Sequence, residues 1–201
     1  MKSKNSQGNL RIIGGKWRSR RLSFPIRDQL RPTANRIRET LFNWLQDKVP
    51  FEDCLDLFAG SGACGLEALS RGAAGVTFVE QDHQVADAIV ANLTLLEEPD
   101  MPVICRDALD WLRAQASENS QRFGIVFIDP PYADQLEIEC CRLLEKSGLL
   151  KDQSTIYLES DRDLSESLFP ASWRIIRKKR AGAVYFMLLE RKSESREPEM
   201  Q

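Results

Sequence analysis

The chain has 201 residues, 42% of them hydrophobic and 29% charged, which suits a soluble protein with one core-bearing domain. No run approaches the ~20 apolar residues of a membrane span, and the polar Met1–Leu10 segment lacks the apolar stretch of a secretory signal. A cytoplasmic protein is expected.

Five cysteines (Cys54, Cys64, Cys105, Cys140 and Cys141) show no metal-binding or redox spacing and read as buried, reduced thiols. With His83 the only histidine, no metal site can be assembled from sequence. The net charge of −2 hides an asymmetry. Residues 1–40 hold eleven Lys or Arg against Asp28 and Glu39, hence +9, and the other 161 residues carry −11. A basic arm on an acidic body points to a polyanionic partner, with a merely solvated charged face as the alternative. Ile12, Ile13, Trp17, Leu22, Phe24 and Ile26 interrupt the cations, so the arm is expected to be folded. It also offers aromatic and guanidinium planes to unstacked bases.

Along the chain, Arg11–Phe24 contains two short β-like runs around Gly14-Gly15 and predicts a hairpin. After the Pro25–Pro32 connector, Thr33 is expected to cap a helix presenting Ile37, Leu41, Trp44 and Leu45 on one face. Strands and helices then alternate. Strands are predicted at Cys54–Phe58, Val76–Glu80, Val103–Cys105, Gly124–Ile128 and Thr155–Glu159. Helices are predicted after Gly65, over His83–Leu96, near Ala108–Gln115 and around Leu136–Lys146. This order implies an α/β fold with a mostly parallel sheet covered on both faces. Trp173–Lys178 and Ala183–Leu189 predict a closing hairpin that places one strand antiparallel. The expected division is a basic hairpin-and-helix extension over 1–50, a catalytic domain over 51–191 and a polar, frayed tail over 192–201.

The strongest local signal is Asp56-Leu-Phe-Ala-Gly60-Ser-Gly62-Ala-Cys-Gly65, placed between the first strand of the sheet and its helix, where open α/β sheets bind ligands. Taken alone it also satisfies a dinucleotide fingerprint. Three features favour S-adenosylmethionine. Asp56 would oppose a pyrophosphate but suits amino and sulfonium groups. The antiparallel closing hairpin is unlike a second mononucleotide-binding half, whereas Glu80 stands where a carboxylate grips ribose hydroxyls in either reading. Asp107-Ala108 suits an adenine amino group and ring nitrogen. Phe58, Gly60 and Gly62 complete the predicted cofactor set. The opposing possibility is that Asp56 and Asp107 only cap helices. These residues resemble the first motifs of class I S-adenosylmethionine-dependent methyltransferases, which implies a Rossmann-like seven-stranded sheet with one antiparallel strand.

Asp129-Pro130-Pro131-Tyr132 ends the fourth strand and resembles the motif of methyltransferases acting on planar amino nitrogens. Asp129 and the Pro130 carbonyl would accept from the amine and aim its lone pair, Pro131 would stiffen the loop, and Tyr132 would stack on the base. One carboxylate can accept both guanine N1–H and N2–H, a weak pointer to guanine. Glu159 and Asp161 could line the target pocket or sit in a solvated loop.

The chain from Arg11-Ile-Ile-Gly-Gly-Lys-Trp-Arg through Arg31-Pro-Thr and Arg36-x-Arg38-Glu39 to Asp129-Pro-Pro-Tyr resembles the bacterial RsmD-type 16S rRNA guanine-N2 methyltransferases. That resemblance implies an enzyme acting on a guanine of small-subunit rRNA, in a partly assembled particle; a monomer without a metal is expected. Arg11, Lys16, Trp17, Arg18, Arg20, Arg21, Arg36 and Arg38 are the candidate RNA contacts. The alternatives are a DNA adenine-N6 or cytosine-N4 methyltransferase, a nicotinamide-dependent oxidoreductase and a catalytically silent RNA-binding protein.

Overall fold

A computed structural model describes residues 7–26, 35–115 and 122–192. The expected cap at Thr33 and the tail beyond Lys192 lie outside the described residues. No helix among these residues is long and apolar enough to cross a membrane.

Strands β1 (Gln7–Arg11) and β2 (Arg21–Pro25) form an antiparallel pair, with Leu10 opposite Leu22. Helix α1 (Asn35–Trp44) follows. The body then runs β3 (Asp53–Asp56), α2 (Ala63–Ser70), β4 (Gly75–Glu80), α3 (His83–Leu95), β5 (Val103–Cys105), α4 (Ala108–Arg113), β6 (Phe123–Ile128), α5 (Glu137–Lys146), β7 (Leu150–Ser160), β8 (Trp173–Ala181) and β9 (Val184–Arg191). The seven-stranded sheet has the order β5-β4-β3-β6-β7-β9-β8. Only β9 opposes its neighbours, so β8 again runs parallel to the rest. The expected mostly parallel sheet with one antiparallel strand is what the chain forms.

Strand alternation sends successive residues to opposite faces. Cys54, Phe78, Phe127 and Tyr157 join the core under α1, α2 and α3, whereas Leu55, Val79, Ile128 and Leu158 join the core under α4 and α5. Leu10, Ile12, Trp17, Leu22, Phe24, Ile37 and Leu41 belong to the first of these cores. The described part of the basic arm is therefore folded, with Leu10, Ile12, Trp17, Leu22 and Phe24 in the core of the body and Ile26 half exposed.

Gly14-Gly15 does not form a tight hairpin turn. The strands stop at Arg11 and resume at Arg21, and the residues between them dock on the end of α2. The Lys16 and Trp17 amides donate to the Ser70 carbonyl and Oγ at 2.6 and 3.0 Å. Gly15 is in the left-handed region (φ +76), and a Cβ there would lie 1.8 Å from the Ser70 carbonyl oxygen. Only glycine fits that approach.

One helical turn earlier, the fully buried Glu67 accepts from the Ile13 and Gly14 amides at 2.8 Å each and from Arg71 Nε at 2.8 Å. Arg38, also fully buried, lies 3.9 Å from Glu67 through Nε and donates through Nη2 to the Arg11 carbonyl and Asn35 Oδ1. Burial pulls the Arg38 pKa down and the neighbouring Glu67 charge raises it.

Two candidate RNA contacts are thereby corrected. Arg38 has no exposed surface and Trp17 only 5%, so both are core residues and neither can meet a nucleic acid directly. Arg11, Arg18, Arg20, Arg21, Lys16 and Arg36 are exposed.

Candidate active site

The order of strands reverses between β3 and β6, and an open α/β sheet binds ligands in the crevice at such a point. A cavity of about 650 Å³ opens there, at the carboxyl ends of the strands. Of the residues expected to hold a cofactor or target, Asp56, Phe58, Gly60, Glu80, Asp107, Ala108, Asp129, Pro130, Pro131 and Tyr132 all line it. Gly62 does not; it shapes the turn from behind, at φ +76, and its amide donates to the Ala59 carbonyl at 2.7 Å. The last glycine of the motif acts in packing: a Cβ on Gly65 would meet Phe78 Cε1 at 2.2 Å, so glycine lets α2 lie close on β4.

Each acid has a defined seat. Asp56, 3% exposed at the end of β3, accepts from the Gly65 amide at 2.8 Å. Burial pushes its pKa up to about 8, the Gly65 hydrogen bond works against that, and Asp129 and Glu80 add to the rise. A cationic group placed beside it would favour the charged form. Glu80, at the end of β4, accepts from the Gly60 amide at 2.7 Å and the Asp82 amide at 2.8 Å, and burial raises its pKa. It therefore ties the glycine turn to the start of α3. Asp82 caps α3 through the Gln84 and Val85 amides. Asp107 Oδ1 accepts from the Asp110 amide at 2.9 Å, so it caps α4 and lines the cavity at once.

Sequence reasoning left Glu159 open between pocket and solvent. The structure places it in the pocket, because β7 extends to Ser160 and Glu159 is only 2% exposed. It accepts a short hydrogen bond from the buried Tyr157 hydroxyl and a longer one, 3.4 Å, from Tyr132. Burial first, then Asp129 and Glu159, push the Tyr132 phenol above its usual range, so it remains a protonated donor. Ile37 of α1 and Val184 of β9 also reach the cavity, and local motifs gave no sign of either. Asp161 is absent from the lining.

Among the described residues, seven carboxylic side chains line this cavity against a single cation, Arg106. Such a wall opposes a pyrophosphate and suits a ligand carrying ammonium and sulfonium charges, so the nicotinamide alternative loses its footing. No group of three or more potential metal ligands occurs among the described residues.

The fold and the cavity together define a class I S-adenosylmethionine-dependent methyltransferase. Residues 10–190 match the family described as conserved hypothetical protein 95, and the chain belongs to that family. It is 43% identical over 190 residues to the ribosomal RNA small subunit methyltransferase D of Escherichia coli strain K12, covering 94% of each chain. Identity to the protein of that name from Haemophilus influenzae is 39%, covering 92% of this chain and 96% of the other. A solved Escherichia coli chain superposes with a TM-score of 0.83 at 42% identity, covering 93% of this chain and 100% of that one. A Bacillus cereus O-methyltransferase solved with S-adenosylhomocysteine, 14% identical with a TM-score of 0.63, covers 80% of this chain and 82% of its own and shares the fold.

Glu80→Ala should weaken S-adenosylhomocysteine binding by about 1.5–3 kcal/mol, as expected for hydrogen bonds to a charged group. Isothermal titration calorimetry checks this, with NAD expected to show no heat of binding. Unchanged affinity in the variant would remove Glu80 from the cofactor site.

Proposed function

We propose that this chain methylates the exocyclic N2 of a guanine in small-subunit ribosomal RNA, acting as a cytoplasmic monomer on a partly assembled particle. The rRNA substrate is supported by the relatives named above. The guanine is supported by one observation: Asp129 and Glu159, each next after the paired Ile128 and Leu158, stand side by side at the ends of β6 and β7. Guanine presents N1–H and N2–H as adjacent donors, which a wall of carboxylate acceptors satisfies. Adenine and cytosine put an acceptor beside their amine, and that acceptor would face the carboxylates unpaired, at about 1–3 kcal/mol.

The bound cofactor supplies an electrophilic methyl group on a positively charged sulfur. The protein's part is to aim a weak nucleophile at it. Asp129 and the Pro130 carbonyl accept from the target amine and turn its lone pair toward the cavity. They also stabilise the positive charge that develops on nitrogen. The two prolines fix this loop beforehand. Tyr132 stacks on the base while its hydroxyl leans on Glu159, so ring and carboxylate are set together. The base must leave its stack to enter.

Methyl-labelled cofactor should be offered with undermethylated rRNA, undermethylated small subunits or DNA, and the products digested to nucleosides. Label is expected in N2-methylguanosine from the ribosomal substrates. Label in adenine or cytosine, or in DNA alone, would overturn the assignment.

A further inference from the structure

We infer that the exposed carboxyl-terminal half of β8, carrying Arg177, Lys179 and Arg180, is the surface that grips the RNA phosphates flanking the target base. The inference rests on RNA being the substrate.

The acidic cavity creates the need. Seven carboxylates against one arginine can receive a neutral base but repel its phosphodiester backbone, so the backbone must be held by cations outside the rim. Those cations must lie at the carboxyl edge of the sheet, where Asp129 is.

The basic loop of the N-terminal arm is at the other edge. Lys16 and Trp17 are tied to Ser70, the last residue of α2, and the Arg20 guanidinium reaches the carbonyl of Leu95, the last residue of α3. Both helices start at the cavity, which Ala63 and Asp82 line, and run away from it. At 1.5 Å per residue the loop is ~12 Å away along α2 and ~20 Å along α3.

β8 is placed differently. It runs parallel to β6 and β7, so its last residues arrive at the carboxyl edge. Ala181 pairs with Val184, which lines the cavity. The strand holds five cations, Arg174, Arg177, Lys178, Lys179 and Arg180, and no acid. Arg174 pairs with Glu190 and Lys178 with Asp163. Arg177, Lys179 and Arg180 are exposed, and none has a carboxylate within salt-bridge distance among the described residues. Aromatic rings support two of them: Lys179 lies 5.8 Å from the Trp44 ring, which stacks on Phe186, and Arg180 lies 5.0 Å from Tyr185. Arg36 is also exposed, one residue before the cavity-lining Ile37. Cations on an edge strand can instead serve only to prevent strand-to-strand association, and the experiment separates the two roles.

The triple variant Arg177→Gln, Lys179→Gln, Arg180→Gln should be compared with wild type and with Arg18→Gln, Arg20→Gln, Arg21→Gln. Binding to undermethylated small-subunit rRNA is measured across salt concentrations, alongside S-adenosylhomocysteine affinity and light scattering. The β8 variant should keep its cofactor affinity, bind RNA more weakly and lose about 2 from the slope of log affinity against log salt, at roughly 0.7 per phosphate contact. The arm variant should lose less. An unchanged slope in the β8 variant, with or without new self-association, overturns the inference while leaving the RNA reading standing. A wild-type protein that binds no ribosomal RNA in any form overturns the RNA reading itself.

Discussion

Asp129→Ala should lower the turnover number on the order of 10²–10³-fold while leaving S-adenosylhomocysteine and RNA affinity nearly unchanged. An acceptor aimed at developing charge acts chiefly in the transition state, and deleting one such preorganised group is typically worth that factor. Asp129 directly follows β6, between the buried Ile128 and Pro130, so its carboxylate is presented by a strand whose six residues are all buried. The rigid strand holds the acceptor still. Single-turnover methyl transfer and equilibrium binding, measured on one preparation, check the split. Turnover within a few-fold of wild type would transfer the role to the Pro130 carbonyl or to Glu159.

Glu67→Ala should destabilise the fold by about 3–5 kcal/mol, as expected when a buried ion pair loses one partner. Two backbone amides, Arg71 and the fully buried Arg38 all face this carboxylate, and removing it leaves the guanidinium charged in the core. Against a typical total of 5–15 kcal/mol that loss is large. Urea unfolding followed by far-ultraviolet circular dichroism measures it. Glu67→Ala combined with Arg38→Met should recover part of the loss, because the stranded charge goes with its partner. A Glu67→Ala loss below 1 kcal/mol would show that the arm is held mainly by its apolar contacts.

The catalytic half of the molecule was legible because its signals are local. Strand periodicity, the glycine turn and Asp129-Pro-Pro-Tyr each lie within a dozen residues, and the topology brings their acids to one edge. The arm was less legible because its meaning is non-local. Arg36 and Arg38 look alike in sequence, yet one is exposed on α1 and the other is buried toward Glu67, 29 residues further on. Trp17 among arginines reads as a base-stacking platform and is instead core, because the chain around it folds onto the end of α2. Gly14-Gly15 reads as a hairpin turn, and the close approach of Gly15 to Ser70 is visible only in three dimensions. Glu159 was ambiguous because the end of β7 decides whether a carboxylate meets solvent or a cavity, and strand ends are weakly encoded.

The seam between the arm loop and α2 makes that helix a rod gripped at both ends, by the glycine turn at the cavity and by residues 13–17 at the far edge. In native-state hydrogen exchange, the amides of Ile13, Gly14, Lys16 and Trp17 are therefore expected to open together with those of α2, as one cooperative unit. Loading the cavity should slow exchange at the four loop amides as well, although none of those residues lines it. An N-terminal deletion reaching residue 20 would uncap α2 and bare the core around Ile12 and Trp17, and so should give an insoluble chain.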